Sequence, residues 1–87
     1  MDKVKLYTMN NCPYCTELKM SLQSLGIDYV DVNVNMSENE EEFTELIKKT
    51  RSDDVPVVIV DKNILAPNVS FKSISELVNL IVDLRNS

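Results

Sequence analysis

The chain has 87 residues, 44% hydrophobic and 26% charged, the length and balance of one small globular unit spanning residues 1–87. Fourteen acidic against nine basic residues give a net charge of −5, which excludes nucleic acid and an anionic membrane surface as partners, since both need a basic face. No charged-then-apolar leader and no bilayer-length apolar run are visible, so the reducing cytoplasm is the expected compartment; a monomer is the expected state, though nothing in the sequence fixes it.

Residues 4–9, with Val4, Leu6, Tyr7 and Thr8, predict a first strand, which Asn10 and Asn11 interrupt. A helix is expected over 13–25. Pro13 suits a first helical position, where no amide donor is needed, and Gly26 suits the C-terminal stop. Cys15, Leu18, Leu22 and Leu25 share its apolar face, so Cys15 is buried, whereas Cys12 precedes the first turn and stays exposed. Residues 29–34 alternate Val30, Val32 and Val34 with polar neighbours, the period of a strand. Ser37 and Glu40 fit a capping box opening a helix to about Thr50, with Phe43, Leu46 and Ile47 inward. The acidic run Glu38 to Glu42 and the basic Lys48, Lys49 and Arg51 sit at the ends that the helix dipole favours, and the acidic run reads as a solvated helix start. Residues 57–60 form a β-branched strand after Val55-Pro56. Asp61-Lys62-Asn63 predicts a turn into a weak fourth strand near 64–69, its length limited by Pro67. The last helix is expected from Ser73 to about Arg85, with Ser73 and Glu76 as capping box and Leu77, Leu80, Ile81 and Leu84 inward. The order βαβαββα indicates an α/β fold: a parallel βαβ unit joined to an antiparallel hairpin, with helices on both sheet faces.

The chemistry lies in Cys12-Pro13-Tyr14-Cys15. A lone CxxC is a weak signal, but one that follows a strand and opens a helix is a strong one. Disulfide exchange needs a thiolate, and a helix N-terminus offers free amides and partial positive charge to a sulfur anion. Cys12 lies at that point. Cys15, one turn on and sheltered, can resolve a mixed disulfide. As a structural cross-link so short a loop would add little. A zinc site wants four ligands, and two cysteines without any histidine supply half, so no metal is expected. Tyr14 is expected to line a substrate groove, a merely exposed tyrosine being the alternative, and Lys19 reads first as a solvated lysine, with electrostatic help to Cys12 as the alternative. On local grounds Pro56 is open between a cis bond and an ordinary trans edge residue.

Leu6-Tyr7-Thr8 leading to this motif, with Lys19 and Leu22 beyond, Val55-Pro56-Val57 later and a final helix, resembles the glutaredoxin family over nearly the whole chain. The resemblance implies a thioredoxin-like fold, a four-stranded mixed sheet flanked by three helices. It implies a dithiol–disulfide oxidoreductase with Cys12 as nucleophile, Cys15 as resolving thiol and Pro56 as a cis-proline facing the active site beside Val55. It also implies disulfide-containing proteins as substrates, no tightly bound cofactor and glutathione as electron donor. The expected glutathione contacts depart from the family's pattern. Its lysine three residues before the first cysteine is Met9 here, and its threonine before Val-Pro is Asp54. Its Gly-Gly pair is missing, Gly26 being the single glycine. Lys72, Ser73 and Ser75 occupy that stretch. Lys72 and the helix start there are expected to serve a carboxylate, although Ser73 reads first as a plain cap. Val55-Pro56-Val57-Val58 and Ser70-Phe71-Lys72-Ser73 are similar to glutaredoxin-like redoxins that supply ribonucleotide reductase and are recharged by thioredoxin reductase. That donor and that partner are the alternative. Iron–sulfur glutaredoxins normally use a single cysteine with smaller neighbours, so the motif disfavours a metal-binding role.

Overall fold

The computed structural model describes residues 4–51 and 53–86. Its elements are β1 (Val4–Thr8), α1 (Pro13–Ser24), β2 (Val30–Asn33), a 3-10 turn (Ser37–Asn39), α2 (Glu40–Thr50), β3 (Val57–Val60), β4 (Asn63–Leu65) and α3 (Ile74–Arg85). The strands form one mixed sheet in the order β2-β1-β3-β4. β1 is parallel to β2, with Tyr7 opposite Val32, and antiparallel to β3, with Leu6 opposite Val58. The βαβαββα order and the α/β architecture are those read from the sequence.

Alternation along the strands supplies a core to each sheet face. Val4, Leu6, Val58 and Val60 pack with Leu18 and Leu22 of α1 and Leu77 and Ile81 of α3. Tyr7, Val32 and Val57 pack on the other face with Leu46 of α2. Burial of one such aliphatic side chain contributes on the order of 1.5–3 kcal/mol, so these faces fix how β1 and α1 meet. α1 stops where Gly26, at φ 68, donates to the Gln23 carbonyl at 3.1 Å while Ile27 donates to the Leu22 carbonyl at 2.9 Å. The left-handed φ is why a glycine stands there.

Several local expectations are corrected. Leu25 is 55% exposed because the helix ends at Ser24 and the chain turns before Leu25 can reach the core. Val30 is exposed too: it opens an edge strand, outside the cluster that covers Val32. Ser37 caps nothing. A 3-10 turn intervenes, α2 begins at Glu40, and neither start has a side-chain cap. Asn39, at the junction, spends its amide on the Asn33 carbonyl at 2.8 Å. β4 ends at Leu65, ahead of Ala66 and Pro67, and Asn68 takes φ 62 in the turn that follows. α3 keeps its Ser73 cap, whose Oγ accepts the Glu76 N–H at 3.1 Å, but the Glu76 carboxylate reaches back to the Lys72 N–H at 2.7 Å rather than to Ser73.

The acidic run is more than a solvated face. Glu42 pairs with Lys5 at 2.6 Å and accepts a hydrogen bond from the Tyr7 hydroxyl. The Lys5 hydrogen bond, then that of Tyr7, holds the Glu42 carboxyl below its ordinary range. A depressed carboxylate adds stability above its ordinary pKa and loses it as the pH falls. The pair's side chains are 39% and 41% exposed, so solvent screening limits the gain to about 1 kcal/mol or less. Glu42→Gln should therefore be slightly less stable than the parent in urea at neutral pH, and the gap should close toward about pH 3. A gap that widens on acidification would refute the pairing.

Candidate active site

The loop between β1 and α1 is pinned from the β2 side. Asn33 Nδ2 donates to Asn10 Oδ1 at 2.8 Å, and the Asn10 N–H donates to Asn35 Oδ1 at 2.6 Å. Val34 N–H adds a bond to the Thr8 carbonyl at 2.7 Å. Asn11 follows at φ 56, a left-handed conformation that asparagine tolerates better than most residues. The chain then enters α1 with Cys12 as its N-cap and Pro13 in the first turn.

Cys12 has extended backbone, and its Sγ accepts the Cys15 N–H at 3.3 Å. A sulfur thus fills a place where an oxygen side chain usually satisfies a free helix amide. The Cys12 carbonyl accepts from Thr16, through N–H at 3.1 Å and Oγ1 at 3.2 Å. Both thiols are free, Cys12 half-buried and Cys15 buried. Burial foremost, then the hydrogen bond with Cys12, pushes the Cys15 thiol up to about 12, against the Met9 amide and the Lys19 charge. One sulfur therefore meets solvent at a helix amide, and the other waits beneath it in the protonated form. That asymmetry is what two-step disulfide exchange requires.

Lys19 is not the solvated lysine expected from sequence. Its Nζ lies 2.7 Å from Asp31 Oδ2, and Asp31 Oδ1 accepts the Thr8 hydroxyl at 2.6 Å. β2 supplies this partner, twelve residues further along the chain.

A groove of about 370 Å³ opens beside Tyr14, lined by Asp54, Val55, Pro56, Pro67, Asn68, Phe71, Lys72, Ser73 and Ile74. The Val55–Pro56 peptide is cis, which decides between the two local alternatives as the resemblance implied. Tyr14, Val55, Pro56, Lys72 and Ser73 are thus brought together in one groove, which reaches the motif through Tyr14 while neither cysteine lines it, and Ser75 is not among them: it is exposed and outside the lining. The Ser73 hydroxyl caps α3, in line with the plain-cap reading. Asp54 and Lys72 put opposite charges on the groove wall. Pro67, Asn68 and Ile74 went unseen in the sequence. Pro67-Asn68 has turn chemistry that could have flagged the wall, whereas Ile74 looks like any core residue of α3.

The glutaredoxin family model matches residues 4–65, from the start of β1 to the end of β4. A glutaredoxin-like 8.6 kDa protein in the rubredoxin operon of Clostridium pasteurianum is 37% identical over 62 residues, 71% of this chain and 80% of that protein. Glutaredoxin 3 of Escherichia coli K12 is 31% identical over 61 residues, 70% of this chain and 71% of that protein. The buckwheat glutaredoxin–glutathione complex shares the fold at TM-score 0.75 and 16% identity, over 95% of this chain and 76% of that one. The α/β architecture is accordingly thioredoxin-like. Because the family match takes in every strand of the sheet and the whole Cys12–Cys15 turn, with relatives at 37% and 31% identity beside it, the chain belongs to the glutaredoxin family of redox proteins.

Proposed function

We propose that the protein is a dithiol–disulfide oxidoreductase in which Cys12 is the nucleophile and Cys15 the resolving thiol. The supporting observation is the asymmetry of the pair, with Cys12 Sγ at the amide end of α1 and Cys15 buried and protonated a turn away. The Cys12 thiolate attacks one sulfur of a substrate disulfide, and the other substrate sulfur leaves and takes up a proton. Cys15 then attacks Cys12 Sγ, which forms the Cys12–Cys15 disulfide and frees the second substrate thiol. Two electrons and two protons pass to the substrate. The Val55 main chain meets an extended substrate segment as an added strand does, with Tyr14 and Pro56 bounding it. The protein works in this way as a one-domain cytoplasmic monomer on disulfide-containing proteins.

Glutathione is the electron donor we favour. Lys72 and the amide end of α3 offer a carboxylate site in the groove, and the buckwheat protein of the same fold is a glutathione complex. Asp54 in the same lining favours a second reading, because it repels a carboxylate and Met9 supplies no compensating cation. In that case thioredoxin reductase recharges the protein and ribonucleotide reductase is the partner. The clostridial relative's rubredoxin operon is in keeping with a dedicated redox partner. NADPH oxidation coupled to disulfide reduction distinguishes the two, with glutathione and glutathione reductase in one arm and thioredoxin reductase alone in the other. Turnover is expected in the glutathione arm. Asp54→Thr with Met9→Lys should raise it there about tenfold, since a contact to a charged group is worth roughly 1.5–3 kcal/mol. Turnover confined to the second arm overturns the glutathione reading.

A further inference from the structure

We propose that Lys19 is a positioning residue for the resolving step: Asp31 and Thr8 lock its ammonium beside Cys15, so that the thiolate forming there meets a fixed cation. The inference rests on the reading of Cys15 as the resolving thiol.

Lys19 lies four residues beyond Cys15 on α1, which puts the two side chains on one face. A lysine at a helix surface ordinarily samples many rotamers. This one is held from two strands. Its Nζ is 2.7 Å from Asp31 Oδ2 on β2, and the other Asp31 oxygen is taken by the Thr8 hydroxyl of β1 at 2.6 Å. Thr8 is itself 1% exposed, so the clamp is anchored in the core. The Lys19 and Asp31 side chains are 31% and 35% exposed, which screens them less than a free surface pair. Thr8 also immediately precedes Met9, whose backbone favours the Cys15 thiolate. The end of β1 therefore anchors the clamp and leads directly into a backbone group that acts on the sulfur.

The groups acting on Cys15 are Cys12 and Lys19 from its own helix and the Met9 amide from β1. Asp31 of β2 meets it through Lys19, and Tyr29, just before β2, acts on Lys19 as well. Burial opposes the Cys15 thiolate, and the Lys19 charge favours it. A buried anion without a partner is costly, so the cation matters most in the step that creates one. In that step the sulfur–sulfur bond of the mixed disulfide breaks and the Cys12–Cys15 bond forms. The Cys15 proton ends on the departing substrate sulfur, and Lys19 keeps all of its own.

Reaction of the reduced protein with 5,5′-dithiobis(2-nitrobenzoate) in a stopped-flow cell separates the steps. The first thionitrobenzoate is released as Cys12 is modified, and the second as Cys15 displaces it. Lys19→Met is expected to leave the first phase within about twofold of the parent. It should slow the second about tenfold and move its pH profile upward, one pKa unit being one such factor. Lys19→Arg should restore the second phase. Lys19→Gln, which retains a hydrogen-bond donor without the charge, should behave like Lys19→Met and guards against a folding defect. An unchanged second phase in both neutral variants overturns the inference, as does equal slowing of both phases or a failure of arginine to rescue. If the parent itself shows no Cys12 adduct, the oxidoreductase reading falls instead.

Discussion

Cys12→Ser is expected to lose disulfide reduction by a factor of roughly 1,000 or more, to the background of the assay. A serine hydroxyl stays protonated at neutral pH and cannot carry a sulfur–sulfur bond, so no mixed disulfide forms. The helix amide that meets Cys12 Sγ at 3.3 Å cannot compensate for a missing thiolate. Cys15→Ser should fail differently. Its first step is intact, because Cys12 keeps its place at the end of α1, but nothing displaces the bound substrate half. Mass spectrometry after incubation with a disulfide substrate should then show one adduct at Cys12 that persists until an external thiol removes it. The pair of variants separates two roles that a single loss of activity would confuse. Retained turnover in Cys12→Ser, or an adduct on Cys15 in that variant, would mean that the nucleophile is misassigned.

The parts of this site that were legible in the sequence are those fixed by neighbours a few residues apart. Pro13 in the first turn of α1, Gly26 at its end and the apolar spacing of Cys15, Leu18 and Leu22 set the helix and so the outward and inward thiols. Ser73 capping Glu76 set the start of α3 in the same way. What stayed hidden depends on segments meeting in space. The Lys19–Asp31–Thr8 clamp joins α1, β2 and β1, and no local pattern announces it. Ser37 and Glu40 had the spacing of a capping box, yet the hydrogen bond from Asn39 to Asn33 holds the junction in a 3-10 turn. Ser75 lay one residue too far along α3: Ser73 and Ile74 border the groove, and the helical rotation carries Ser75 off it. The groove wall at Asn68 and Phe71 is made by the turn after β4, where a longer strand had been expected.

Limited alkylation of the reduced protein should mark Cys12 almost alone. The thiolate is the reacting species, and access multiplies its effect. Cys12 is half-buried at a helix start, whereas Cys15 is 2% exposed with its thiol pushed up to about 12. At about pH 8 a thiol of that kind is ionised in roughly one molecule in 10,000. Burial lowers its rate further, so a labelling ratio of about 1,000 or more in favour of Cys12 is expected from iodoacetamide read by peptide mass spectrometry. The sign of the pH effect follows from the same shift. A thiol raised by burial stays neutral while an ordinary thiol ionises, so Cys15 should remain unlabelled through the range where free cysteine becomes reactive and gain label only near the upper limit of folding. Denaturation in urea removes the burial and the Cys12 contact together, and the two cysteines should then label at similar rates at the same pH. Similar rates in the folded protein, or faster labelling of Cys15, would contradict the arrangement of a half-buried and a fully buried thiol on which the assignment of nucleophile and resolving thiol depends.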